Sequence, residues 1–497
     1  MSADPARVPV IAGVGQVNDR PGANDEGLDS LGLMAGAARA ADRDAGGALL
    51  ARCDWLAIVP QISFPALDTR TLLPPALGVQ PGHVEQAPLA SGDTPVRYLN
   101  DAANAVGRGD ASVALIVGGE ALRTAARRAK ASGSDTAGGI GKASLRSASE
   151  LRRRYGLINP VEIYPLYENA SRAAWGLTLQ QAQAETGLVW SLMSQVAANS
   201  EGAWIKTSRS PEEITEPGAD NRPIAFPYNK LMVANSSVNQ GAALIVTSLK
   251  IAREAGISEK RLIYVGPGAA AHEPDDPLSR ARWDRAEGMR VSLERAMQLN
   301  GLGVGDLDYV ELYSCFPCVP KMARRVLGWP AERPATVHGG LTFGGGPVGN
   351  YMTHAAAGMV HALRRDGRRG LLFANGGHCT HNHSIVLTCD PPIENPFPQD
   401  YDFQAEADKA RGAIPPLRDD HQGTVAVETY TVVYDRAGAP AYGVVLARDP
   451  DGQRVIARVD KDDGAAIAYL TDGKVEPVGS AGTTVKRNET LFWRPGQ

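Results

Sequence analysis

The side chains best able to move protons or bind a soft metal crowd into one part of this sequence. Tyr313, Cys315 and Cys318 lie within a single hexapeptide, and the segment ANGGHCTHNHS supplies Asn375, His378, Cys379, His381 and His383. Six of the nine histidines fall between His338 and His383, His354 among them. Thiols and imidazoles are ligands that zinc accepts. Yet Cys315 and Cys318 enclose Phe316 and Pro317, not the tight-turn glycines of a zinc knuckle, so no metal is expected. Two readings of the histidines remain: hydrogen bonding to loop backbone, or one or two acting as acid or base. Tyr313 likewise reads as a polar core residue or as a phenol that gives or takes a proton.

Such groups need strand ends and loops to hold them. Val8–Val14 reads as a buried strand ended by glycines, followed by a helix over Leu28–Ala41 and a second apolar strand over Cys53–Pro60. A helix over Val96–Val106 leads to the run ASVALIVGGEA. This alternation predicts a mostly parallel sheet with helices on both faces. Residues 122–230 then read as a large insertion carrying basic and aromatic clusters, the sort of segment that holds a binding site. The α/β pattern resumes at Gly241–Ser248 and runs to SIVLTCD, giving a domain over residues 1–390. Residues 391–420 read as a Pro-rich linker. Over residues 421–497 the segments VAVETYTVVYD, APAYGVVLARD, QRVIARVD, AAIAYLTD and KVEPVG are read as strands of an antiparallel sheet or small OB-like barrel.

The stretch LASGDTPVRYLNDAAN, followed by VALIVGGEA, resembles the thiolase superfamily, in which Cys-x-Ser-Gly opens a buried helix and a strand ending Gly-Gly-x-Glu follows. Ala90, Ser91, Gly92, Gly118, Gly119 and Glu120 match, but Leu89 stands at the nucleophile's place. In the family the helix N-terminus stabilises a thiolate there, and leucine cannot hold an acyl group. NQGAALIVTS is similar to the family's Asp-Gly-Ala-Ala strand, with Asn239 or Gln240 near the acidic position. DYVELYSCF is similar to the His-Asp-Cys-Phe motif of the sterol-carrier-protein branch: Cys315 and Phe316 are kept, and Tyr313 and Ser314 replace His and Asp. GGLTFGGGPVGN resembles the loop bearing the activating histidine, whose place Gly346 takes. The last loop corresponds to the family's Cys-x-Gly loop. Counted from the preceding strand Asn375 takes the cysteine's place; counted from the following strand Cys379 lies within one residue of it. The resemblance covers residues 8–390 in order, and with the extra C-terminal β-domain it points to thiolase-like proteins of type 1. It implies a thiolase-like α/β fold of two halves with an inserted loop region, plus a small all-β domain.

The function implied is equally specific. Standard 3-ketoacyl-CoA thiolysis is not expected, because nucleophile and activating histidine are both replaced. One reading is chemistry on a coenzyme A thioester, either carbon–carbon cleavage of the retro-aldol type or acyl transfer, using Tyr313, Cys315, His378 or Cys379. Some thiolase-like proteins of steroid side-chain degradation cleave in that way with tyrosine and a separate small β-barrel partner, of which the β-domain is read as a fused counterpart. The other reading is a non-catalytic protein that binds acyl-CoA or recruits a protein partner through the β-domain. The basic run Arg123–Lys130 with Arg152–Arg154 is either a contact for coenzyme A phosphates or a solvated helix face. Gly13-x-Gly15 is no dinucleotide fingerprint, since Asn18 replaces its third glycine. With 51 basic against 55 acidic residues, no basic stripe argues for nucleic acid. Five cysteines are an odd number, which fits free thiols and a cytoplasmic location better than a disulfide framework. Neither a signal peptide nor a membrane span is expected.

Overall fold

The computed structural model describes residues 3–22, 25–133 and 138–496, so residues 134–137 of the inserted stretch lie outside it. Its centre is a nine-stranded sheet. The order is His83–Gln86, Trp55–Ile58, Val113–Ala121, Asn239–Ser248, Pro9–Asn18, Ile263–His272, His381–Thr388, Arg369–Gly376, Tyr309–Leu312. The two α/β halves meet where Val10 pairs Tyr264 and Ile11 pairs Ile263.

The sheet is mixed, which corrects the expectation of mostly parallel strands. Trp55–Ile58 lies parallel to both its neighbours, and Tyr309–Leu312 parallel to Arg369–Gly376. The remaining neighbours are antiparallel. The cause is where the chain re-enters. The inserted region leaves the sheet at Ala121 and returns beside it, pairing Ala121 with Asn239, so no crossover carries the chain to the opposite end. The last two strands form a hairpin around residues 377–380, with Gly376 opposite His381.

The strands are buried on both faces, and successive residues serve different cores. Leu56, Ile58, Val113, Leu115 and Val117 face an outer cluster with helix Ser30–Asp44, whereas Trp55, Ala57, Ala114 and Ile116 face the central one. Each fully buried Leu or Ile contributes about 1.5–3 kcal/mol. Helices Thr94–Arg108 and Tyr351–Arg365 pack on each other and on strands of both halves, forming the middle layer. Helix Glu287–Leu299 covers the far side of the second half. The Gly13-x-Gly15 pair has a packing cause: a Cβ on either glycine would lie 2.2 Å from a backbone oxygen of helix Ser30–Asp44.

The inserted region is mostly helical. Helix Pro160–Ala174 is locked to helix Leu179–Asn199 and helix Cys318–Leu327 by a buried ion pair between Glu168 and Lys321. Lys321 also donates to Thr186 at 2.9 Å, and Tyr228 donates to Glu168 at 2.9 Å.

At the C-terminus, Gly423–Tyr434, Pro440–Arg448, Arg454–Val459, Thr490–Pro495 and Ala481–Arg487 pair in that circular order and close into a five-stranded barrel of the OB type. Two segments read as strands are not. AAIAYLTD lies in the helix Gly464–Thr471, capped by the Asp463 carboxylate accepting from Ala466 N–H, and its buried Ala466, Ile467 and Leu470 follow helical spacing. KVEPVG is irregular. Along Pro440–Arg448 and Arg454–Val459, Val445, Ala447, Val455, Ala457 and Val459 fill the barrel, while Val444, Leu446 and Ile456 join the central core of the α/β body. Ala225 of the inserted region pairs Val433, so the insertion and the barrel share a sheet. The Pro-rich stretch lies along helix Thr94–Arg108: Phe397 packs on Gly107, Asn104 accepts from Gln399 N–H at 2.7 Å, and Tyr401 donates to Asp101 at 2.7 Å.

Candidate active site

Four loops and one inserted helix converge where helix Thr94–Arg108 begins. Leu89 is 75% exposed, on the open side of this junction. Behind it, Ser91 donates to Asp93, and a Cβ on Gly349 would lie 3.2 Å from the Ser91 backbone and 3.4 Å from Ala90 Cβ. A Cβ on Gly92 would lie 2.3 Å from both Tyr313 Oη and the Asn375 carbonyl oxygen, so glycine here lets the phenol and the last loop close in. Gly346 N–H donates to Asn235 O at 2.8 Å, and no imidazole stands at this position. Gln240 fills the space against Gly345.

Tyr313 is fixed by its own N–H, which donates to Phe373 O at 3.1 Å, and by edge contact of its ring with Tyr351 at 6.0 Å. None of the described residues donates to or accepts from its hydroxyl. Burial, then the neighbouring Cys315 and Asp93, holds that phenol well above its usual pKa.

The hub of the site is Tyr164, on helix Pro160–Ala174. Its hydroxyl lies 3.4 Å from Asn375 Oδ1 and 3.2 Å from Gly377 O, and it accepts from Cys379 N–H at 3.3 Å. The Cys315 thiol neighbours it, and its ring stacks on Phe316 at 4.4 Å. Burial raises the Tyr164 phenol strongly, and Cys315 and Cys379 add to the shift. Burial likewise pushes the Cys315 thiol up to about 12 and Cys379 well above its usual value. Both thiols are therefore neutral and poor nucleophiles at pH 7.

Cys379 adopts φ +60°, a left-handed conformation costing about 1–2 kcal/mol outside glycine. Its turn is held from behind. Tyr167 donates to His378 O at 2.8 Å, and buried Arg280 donates to Tyr167 Oη at 2.8 Å, His378 O at 2.9 Å and Thr380 Oγ1 at 2.9 Å. His378 is driven down to about 3 by burial and then by Arg152 and Arg280, leaving a neutral imidazole whose Nε2 is unpartnered.

The site thus brings together Tyr313, Cys315, Asn375, His378 and Cys379 around the loop that Leu89 begins. His354 is not in a loop: it sits in helix Tyr351–Arg365, buried, with Gln16 at 2.9 Å. His381 faces His272 and Asp275 near the surface, and His383 is buried beside Asn100. Among the described residues no three His, Cys, Asp or Glu side chains converge as a metal site requires. In the basic run, Arg127 donates to the carbonyls of Gly22 and Asp25, and Arg128 to that of Gly27. A cleft of about 990 Å³ lies elsewhere, between Gln16, Ser200, Thr336 and His361. Tyr164, Tyr167 and Arg280 escaped the sequence reading. The two tyrosines had one signal, an aromatic pair three residues apart in the stretch already marked as binding-competent, and Arg280 had none.

Residues 402–490 match the family described as thiolase-like protein type 1 additional C-terminal domain. The whole chain superposes on a monomeric SCP2-thiolase like protein type 1 from Mycobacterium smegmatis with TM-score 0.83 and 28% identity, covering 99% of this chain and 100% of that one. The chain has a thiolase-like fold that carries this additional C-terminal domain. Other solved structures match over a smaller share of the chain. The Ltp2-ChsH2(DUF35) aldolase is 18% identical with TM-score 0.59, over 78% of this chain and 99% of that one. Human mitochondrial 3-ketoacyl-CoA thiolase is 14% identical with TM-score 0.56, over the same shares, and a structure of it in complex with CoA also matches. No curated protein matches the chain. Within this fold, none of the described helices is long and apolar enough to cross a membrane.

Proposed function

We propose that the chain binds an acyl-CoA thioester and cleaves or forms a carbon–carbon bond in it without an acyl-cysteine. The observation that carries this reading is the Tyr313 hydroxyl, unpartnered and facing the loop that begins with Leu89. In the cleavage direction the β-hydroxyl of a β-hydroxyacyl thioester gives up its proton and the Cα–Cβ bond breaks. The electron pair leaves on the thioester enolate, β carbon becoming a carbonyl, and the enolate carbon then takes up a proton. No oxidant is consumed. A neutral phenol suits the enolate oxygen as hydrogen-bond donor, and the unpartnered His378 Nε2 is the acceptor that the site offers for the hydroxyl proton. The C-terminal barrel is read as the fused counterpart of the second component named in the Ltp2-ChsH2(DUF35) aldolase, and the CoA complex of the human thiolase supports a thioester as ligand.

The electrostatics also favour a second reading, a non-catalytic acyl-CoA binder, because burial disfavours the charged forms of Tyr313, Cys315, His378 and Cys379 alike. Calorimetric titration with coenzyme A and acyl-CoA, combined with a cleavage assay on β-hydroxyacyl-CoA in wild type and Tyr313→Phe, separates the two. Binding with turnover that Tyr313→Phe abolishes supports the enzyme; binding without turnover supports the binder. Turnover unchanged in Tyr313→Phe removes the phenol from the mechanism.

A further inference from the structure

The C-terminal barrel sends one arginine into the body of the molecule. Arg454, on the third barrel strand, is fully buried. It donates from Nε and Nη2 to the two carboxylate oxygens of Glu428, each at 2.6 Å, a side-on fork within the barrel. Its Nη1 donates to Leu278 O at 3.1 Å and to Arg280 O at 2.5 Å. Arg280 is the residue whose guanidinium grips the turn bearing His378 and Cys379, and it also donates to the carbonyls of Pro274 and Asp276. Two buried guanidiniums therefore run in series from a barrel carboxylate to the candidate site, with each of these donors satisfied by an acceptor. A left-handed cysteine needs such restraint, because the turn relaxes once its carbonyl and hydroxyl anchors are released.

We propose that Arg454 is a positioning residue: the barrel holds Arg280, and through it holds the Gly377–Thr380 turn in the shape that keeps Cys379 buried against Tyr164. The barrel is then a working part of the site's geometry. This rests on the turn belonging to the site proposed above, but its test does not need turnover, so the two can fail separately.

The test is site-resolved alkylation of the full chain with iodoacetamide, read by peptide mass spectrometry. Cys53, buried in the first half away from the turn, is the internal reference. In Arg454→Met the Cys379 rate is expected to rise at least about tenfold relative to Cys53, while Arg454→Lys, which keeps one cationic donor, gives a smaller rise. Amide exchange in the 376–381 peptide should speed up in the same order, with strand Val113–Ala121 unchanged. Glu428→Gln, a milder change that leaves Arg454 present, serves should Arg454→Met not fold, and should loosen the same turn. Cys379 and Cys53 rising together, or neither rising in the folded variants, overturns the proposal.

Discussion

The backbone N–H of Cys379 donates to the hydroxyl of Tyr164, 215 positions earlier in the chain, at 3.3 Å. One phenol from the inserted helix thereby fixes the turn that the second half contributes to the site. Tyr164→Phe leaves that buried N–H without a partner, which costs about 1–3 kcal/mol. Urea unfolding should show the loss, and amide exchange should show it concentrated at Cys379. Exchange at Cys379 equal to wild type would remove Tyr164 as the anchor.

Gly92 is where the site tolerates no added atom. Gly92→Ala puts a methyl 2.3 Å from Tyr313 Oη and from the Asn375 carbonyl, so one of them must move. A loss of about 1–3 kcal/mol is expected, together with weakened acyl-CoA binding in calorimetry. An alanine variant as stable as wild type, with unchanged binding, would show that these groups do not meet.

The buried pair Glu168–Lys321 offers a larger effect. Lys321→Met strands a carboxylate in the interior, and removal of one partner from such a pair costs about 3–5 kcal/mol. The thermal midpoint should fall accordingly. The double variant Glu168→Leu/Lys321→Met should recover part of the loss, and failure to recover any would mean that the cost lies in packing.

Glu311 accepts from Thr336, Val337 N–H and Tyr351, and burial raises it to about 7, with these hydrogen bonds opposing. A carboxyl raised in the folded state binds its proton more tightly there than in the unfolded chain. Its contribution is full below about pH 4.5 and is lost as pH rises through about 7. The effect is about 3 kcal/mol at most. Urea midpoints measured from pH 5 to 8 should decline in wild type and decline less in Glu311→Gln. Parallel curves would refute this assignment.

Leu446 joins the barrel to the central core. Leu446→Ala should cost about 2–5 kcal/mol and leave a single calorimetric transition, because barrel and body share one apolar interior. Two separated transitions would show that the barrel melts alone.

The α/β body was legible because its strands are continuous apolar runs and its site loops carry recognisable residues in order, from Ser91 and Gly92 to Cys315 and Phe316. Strand direction was not: the antiparallel return at Asn239 depends on where the inserted region sits, which periodicity does not record. Helix Gly464–Thr471 was missed because a short alanine-rich apolar segment fits period two nearly as well as helical spacing. Tyr164 and Arg280 were invisible for another reason. Their importance arises from packing against a turn more than ninety residues away in sequence, and nothing in their own neighbourhoods encodes that partner.

In OB barrels the face of the second and third strands is the customary ligand surface. Here Val444, Leu446 and Ile456 on that face are fully buried against the body, and Tyr442 donates to Gly156 O at 2.7 Å. Covalent tethering gives this docked state an effective concentration on the order of millimolar or more. A nucleic acid or protein seeking the same face competes with an intramolecular occupant that never diffuses away. Exposed side chains remain on the strand Ala481–Arg487, Val485 among them, while the face of the second and third strands forms a permanent internal joint.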